Sequence, residues 1–168
     1  MIRLLLFMAI IVGAVAQAVF PTFRWLGQAN APILLGLVLY YALAHSRGTM
    51  LQAAIFAGLL QDALGTIPLG YSSFCFCIAA LVVSKFKDMV FAHKLVTHML
   101  FGALASGAVT LALYGLLVAT GLVVMLAPGW TVLKVAGSMF LGAMIVPIEF
   151  ELLAELDRML GNTEGRTL

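Results

Sequence analysis

Apolar runs separated by short polar or turn-forming links divide the chain into six stretches, most of them close to the length that crosses a bilayer. Leu4 to Phe20 is the first. It ends at Pro21 and is followed by the mixed segment Thr22 to Asn30. Ala31 to His45 is the second, with Pro32 in the first turn, where a missing N–H does no harm, and Ser46-Arg47-Gly48 closing it. The third runs from about Met50 to Leu64, and the fourth from Tyr71 to Ser84, stopping at Lys85-Phe86-Lys87-Asp88. Between Lys85 and Lys94 the apolar Phe86, Met89 and Val90 lie at helical spacing opposite Lys87, Asp88 and Lys94, which predicts a short helix in the interface. Leu95 to Met125 exceeds one untilted crossing, so either its ends protrude or Gly107 bends it. The turn Ala127-Pro128-Gly129-Trp130 leads to the sixth stretch, Thr131 to about Leu153, and a polar tail from Glu155 to Leu168.

Composition agrees with this pattern. Apolar residues make up 64% of the 168 positions and charged ones 10%, with a mean hydropathy of +1.14, whereas soluble domains carry roughly a quarter charged residues. The chain reads as one all-α integral membrane domain with no room for a separate soluble unit. A basic start and the small-residue pattern Ala14-Val15-Ala16-Gln17-Ala18 also fit a cleavable signal peptide, but the remainder is itself polytopic, so an uncleaved first helix is expected. A net charge of +2 gives no broad basic surface for nucleic acid. Cys75 and Cys77, both inside an apolar stretch, form neither a disulfide framework nor a zinc site.

Charge asymmetry sets the orientation. With the N-terminus in the cytoplasm, Arg3, Arg47, Lys85, Lys87, Lys94, Arg158 and Arg166 fall inside, leaving Arg24 and Lys134 toward the outer face. Such a bias requires an even number of crossings, agrees with six, and puts both chain ends in the cytoplasm. It also places the Gly65 to Gly70 turn outside and brings Trp25 and Trp130 to the outer interface, where indoles anchor well.

The segment Gly58 to Gly70, GLLQDALGTIPLG, carries the densest chemistry. Ala54, Gly58 and Asp62 follow at i, i+4 and i+8, a stripe of small residues leading to an acid at membrane depth, while Gly65, Pro68 and Gly70 force a tight turn after it. An intramembrane carboxylate is costly and turns toward other helices. It serves either helix packing with a neutralising partner or a site for an ion, substrate or partner protein. Lys134, one turn into the sixth stretch from the same face, is the expected counter-charge, with Arg24 the alternative.

Small residues recur at Gly102 to Gly107, where Gly102 pairs with Ser106 and Ala103 with Gly107 at helical spacing, and again at Ser138 and Gly142. These stripes suit packing among the chain's own helices or contact with an external transmembrane partner. Glu149, Glu151, Glu155 and Asp157 cluster where the last stretch leaves the membrane. They read as a solvated helix end, with Arg158 pairing to Glu155 or to the helix terminus, or as a dock for a basic partner. Catalysis finds little support. His45, His93 and His98 lack HExxH spacing, no GxSxG, Walker or dinucleotide fingerprint occurs, and Ser72 and Ser73 have no base nearby in sequence. No cofactor is expected. His98, at the inner end of the fifth stretch, is an interfacial anchor or a titrating switch.

From Pro32 to about Phe74 the sequence resembles the rod shape-determining protein MreD family. The matching residues are Pro32 opening an apolar helix, Leu39-Tyr40-Tyr41-Ala42, the link Arg47-Gly48, Gly58-Leu59-Leu60-Gln61-Asp62 and Gly65-Thr66-Ile67-Pro68-Leu69-Gly70. Pro147 near the end of the last stretch agrees more loosely, and Glu149, Glu151 and Glu155 stand where many relatives carry a basic tail. The resemblance implies a non-enzymatic inner-membrane subunit of the rod or elongation complex. It would bind the bitopic protein MreC and link MreB filaments to a peptidoglycan glycosyltransferase and a transpeptidase, or penicillin-binding protein. It implies a six-helix fold like the substrate-binding S-components of energy-coupling-factor transporters. That likeness supplies the alternative, a vitamin-binding S-component, for which Ala14 and Ala18 would form the docking face. The short outer links argue against a vitamin site. On the scaffold reading, a bitopic partner's helix packs on exposed small-residue stripes such as those at Gly58 and Gly107.

Overall fold

Ile33 to Ala44 contains no charged residue and is apolar on every side, which suits a helix enclosed by others rather than one with a single buried face. The computed structural model, which describes residues 2–19, 30–65, 68–86, 96–121 and 128–159, shows this segment as the central helix of an all-helical bundle. The described helices are α1 (Ile2–Val19), α2 (Ile33–Ala44), α3 (Arg47–Leu64), α4 (Tyr71–Ser84), α5 (Val96–Ala119) and α6 (Pro128–Met159). Every residue of α2 from Leu34 to Leu43 is buried. α1, α3, α4 and α6 all pack on it and α5 touches it, while neighbours pair around it as α1 with α3, α3 with α4, α4 with α5 and α5 with α6.

Outside this ring the bundle is apolar. Val12, Val15, Leu81, Leu104, Leu111, Phe140, Ile148 and Leu152 are all exposed, far more apolar surface than water tolerates. α5 and α6 are each long and apolar enough to cross a membrane. Both observations fit helices bathed in lipid.

Element boundaries follow from local chemistry. α4 has the bounds expected from sequence. α3 begins at Arg47, not Met50, because a helix runs on past the apolar zone into its polar flank. α5 ends at Ala119, short of the expected Met125, where Thr120 and the positive-φ Gly121 turn the chain. Gly107 lies within this single helix and serves a helix contact described below. Pro128-Gly129-Trp130 is the first turn of α6 and not a free turn, since proline is pre-set for the first helical position. α6 then continues through Pro147 to Met159, beyond the expected Leu153. The predicted interfacial helix falls mostly outside the described residues, as do Arg24, Trp25 and His93.

Candidate functional site

Asp62 ends the small-residue stripe of α3 and is 1% exposed. Its Oδ2 accepts the backbone N–H of Gly70 at 2.7 Å, and the N–H of Ser72 reaches Oδ1 at 3.1 Å and Oδ2 at 3.2 Å. These amides belong to the start of α4, where the first N–H groups of a helix lack internal acceptors and the dipole is positive. The carboxylate therefore caps the next helix from across the turn. Gly70 makes this possible with φ +105°, a conformation that only glycine adopts without strain. Gly65 is extended at φ −94°, and Pro68 lends its carbonyl to the N–H of Tyr71 at 3.5 Å.

The same device closes the preceding hairpin. Gln17 on α1 accepts the N–H of Leu34 with Oε1 at 3.1 Å, capping α2, and donates through Nε2 to Oε1 of Gln61, the residue before Asp62. Two hairpins, α1–α2 and α3–α4, are thus each stitched by a polar side chain from the upstream helix, and the Gln17–Gln61 contact joins them. Below this belt α3 and α4 meet at Gly58. A Cβ there would overlap the Cα and N of Ser73, whose hydroxyl donates to the carbonyl of Ile55 at 3.1 Å. Ala54 is fully buried on the same face.

A second seam joins α5 to α6. A Cβ on Gly102 would lie 2.6 Å from the carbonyl oxygen of Gly142, and one on Gly142 would lie 2.5 Å from that of Gly102. Ser106 donates its hydroxyl to the carbonyl of Ser138 at 2.6 Å, and the Ser138 hydroxyl turns to the carbonyl of Val135 at 2.9 Å. Gly107 receives Met139, whose Cγ would be 2.5 Å from an added Cβ.

The acid, the turn and the flanking helices thus form one built unit, and the chain containing them matches a known family. The rod shape-determining protein MreD family model covers residues 1–155. The chain belongs to the MreD family. No curated protein and no solved structure matches it. Membership gives the protein a role in rod shape determination, within a family of structural, shape-determining membrane proteins that is not a known enzyme family. In this member of the family the GLLQD and PLG elements have a direct physical link: the acid of the first accepts the amide of Gly70, which ends the second, and that of Ser72 just beyond it.

Several sequence expectations are corrected by this geometry. Among the described residues no ion pair joins Asp62 to Lys134. Lys134 is exposed and lines a cavity whose wall includes Gln61, while the carboxylate is already filled by backbone N–H groups. Arg24 lies outside the described residues. Of the two readings of the stripes at Gly58, Gly102, Ser106, Gly107, Ser138 and Gly142, packing among the protein's own helices is the one the contacts fit, and the expectation of a partner helix seated at Gly58 or Gly107 does not hold.

The acidic cluster divides in two. Glu151 is exposed, and Glu155 is exposed and paired with Arg158 at 2.8 Å, as a solvated end should be. Asp157 is buried instead, accepting the Tyr40 hydroxyl at 2.6 Å, with His45 Nε2 3.7 Å away. This latch fixes the end of α6 to α2 and accounts for the extra turns of that helix. Glu149 is turned inward as well. The Asp157–Tyr40 spacing of 117 residues leaves no local signal in sequence. Ring contacts of His98 with Phe150 and of Tyr40 with Phe150 complete this end. Among the described residues no three His, Cys, Asp or Glu side chains gather as a metal set.

Proposed function

We propose that this protein is a non-enzymatic, multi-pass inner-membrane subunit of the bacterial rod, or elongation, complex. It binds an MreC-like bitopic protein and through it works with MreB, a peptidoglycan glycosyltransferase and a penicillin-binding protein. The family match over residues 1–155 carries this reading. The structure supports it in how polar groups are used: Asp62, Gln17, Ser106 and Asp157 all go into caps, seams and latches that stiffen a bundle, as a scaffold requires.

Six crossings with both ends in the cytoplasm fit the Lys and Arg distribution. α2 and α4, of 12 and 14 residues, measure about 18 and 21 Å against a hydrocarbon core of about 30 Å. The remaining depth falls to non-helical flanks, which a bilayer tolerates where protein covers them. The buried Ala31 and His45 flank α2 in this way.

The rival is a vitamin-binding S-component. Its site would lie in the cavity between α2, α3, α4, α5 and α6, lined by Gln61, Thr110, Tyr114 and Lys134. At about 160 Å³ it is smaller than the roughly 300 Å³ at which small-molecule pockets begin, which favours the scaffold. Detergent extraction followed by identification of co-purifying proteins tests the choice. An MreC-like protein is expected; transporter ATPases or a retained vitamin would reverse it.

A further inference from the structure

The cavity bounded by Gln61 and Lys134 is small for a vitamin but roomy for a simple polar group. At about 160 Å³ it far exceeds the roughly 10–15 Å³ that one water needs. Its rim is polar and drawn from four parts of the chain: Asn30 before α2, Gln61 on α3, Thr110 on α5 and Lys134 on α6. Its floor is apolar and closed, since Leu35, Phe76 and Val109 are all buried. Asn30 and Lys134 are exposed, so the cavity opens at the polar rim.

That rim is rich in unused donors. Lys134 brings an ammonium with three N–H groups and no acceptor. Gln61 accepts from Gln17 with Oε1, which leaves Nε2 as its free group among the described residues. The Thr110 hydroxyl makes no hydrogen bond among them either, and no carboxylate from them lines the cavity.

Charge at this end of the bundle is unbalanced as well. Asp62 is already filled by the amides of Gly70 and Ser72. The other described acids all belong to the far half of α6, and Glu149, the first of them, lies about 22 Å along that helix from Lys134. Lys134 therefore has no counter-charge among the described residues. Trp130, one turn before it, is 56% exposed and marks the interface where indoles anchor, so the ammonium stands at headgroup depth. Phosphate is the anion that a bilayer presents there.

We propose that this cavity is a phosphate subsite that takes the anionic head of a membrane lipid. Lys134 supplies the charge, while Thr110 and the Gln61 amide donate to the phosphate oxygens. The lipid chains leave over the apolar surface beside the rim, where Leu111, Val132 and Leu133 are exposed. Basic pockets between membrane helices hold lipid headgroups by this combination of charge and shape. The site would exist whether or not the protein joins a rod complex.

Lipid retention by the delipidated full chain in detergent tests the subsite. Phosphatidylglycerol, a diacylglycerol without a headgroup, or inorganic phosphate is added, bound molecules are counted by native mass spectrometry, and the melting temperature is followed. One phosphatidylglycerol retained with a raised melting temperature is expected, with no gain from diacylglycerol. Lys134→Gln should weaken that retention about fivefold, the scale of one lysine's attraction to an anionic lipid surface. Thr110→Leu keeps the lysine but fills the cavity, and should weaken retention at least as much. Lys85→Gln removes an exposed cation elsewhere and should change nothing.

Retention indifferent to Thr110→Leu, or reduced equally by Lys85→Gln, would mean a lipid clinging to surface cations and would overturn the subsite. So would binding of neither phosphate probe. Stabilisation by inorganic phosphate alone, lost in Lys134→Gln, would support the phosphate subsite and overturn the lipid as its source. Should Thr110→Leu not accumulate, Leu113→Phe fills the same cavity and carries the same expectation.

Discussion

Gly102 and Gly142 face each other across α5 and α6 so closely that each holds the other's carbonyl oxygen where a Cβ would stand. Even alanine at either position forces the backbones apart, and overpacking of this kind costs about 1–3 kcal/mol. Gly115, on the same helix, has nothing among the described residues within 4 Å of an added Cβ, so alanine there should stabilise by about 0.5–1 kcal/mol through helix propensity. Thermal unfolding in detergent is expected to show Gly102→Ala melting below the native protein and Gly115→Ala at or above it. Equal behaviour of the two would mean the seam is looser than described.

Asp62 makes a second, sharper prediction. Its carboxylate accepts the amides of Gly70 and Ser72, and hydrogen bonds to a charged group contribute about 1.5–3 kcal/mol. Asp62→Ala should lose about that much, because α4 is left with buried, unsatisfied donors. Asp62→Asn keeps one acceptor oxygen and should lose less. Gly70→Ala should also destabilise, by about 1–2 kcal/mol, from the left-handed backbone. Lys134→Ala should leave the melting point unchanged, since the carboxylate is held by backbone. A large loss from Lys134→Ala would restore the ion-pair explanation.

These residues also mark how far sequence reasoning reaches. The stripe Ala54, Gly58, Asp62 was legible because helical spacing is a local property, and the bounds of α4 were legible because Gly70 and Lys85 bracket an uninterrupted apolar run. The partner of Asp62 was not. A search for a counter-charge looks for Lys or Arg, whereas backbone N–H groups at a helix start are present in every sequence and mark none. The small-residue pairs on α5 and α6 were visible one helix at a time, but that Gly102 meets Gly142 depends on helix register. In sequence Asp157 and Glu149 form one cluster with Glu151 and Glu155, since four acids near a helix end look alike until rotation about the axis is known.

Gln17 offers a test of the outer belt. It caps α2 through the N–H of Leu34 and donates to Gln61. Gln17→Leu preserves bulk and removes both, at a cost of about 0.5–2 kcal/mol, the range for a lost helix cap. Hydrogen exchange is the informative measurement, because the Leu34 amide should exchange faster while amides in the α5–α6 seam stay protected. Uniform protection at Leu34 would show that another group satisfies it.

The cytoplasmic latch yields the last prediction. Tyr40 donates its hydroxyl to Asp157 within a buried site, whereas the neighbouring Arg158–Glu155 pair is exposed. Two ion- or hydrogen-bonded contacts a residue apart should therefore differ in weight. Tyr40→Phe keeps the ring contacts but strips the carboxylate of a donor, which costs about 1–3 kcal/mol; Glu155→Ala removes a screened surface pair contributing at most about 1 kcal/mol. Because the latch holds the final turns of α6 against α2, its loss should first appear as fraying at that end. Limited trypsin digestion at Arg158 should thus accelerate in Tyr40→Phe before global unfolding shifts. In a double-mutant cycle, Tyr40→Phe and Asp157→Leu should couple by about 0.5–3 kcal/mol; additivity of the two would show that the contact does not hold the helix end.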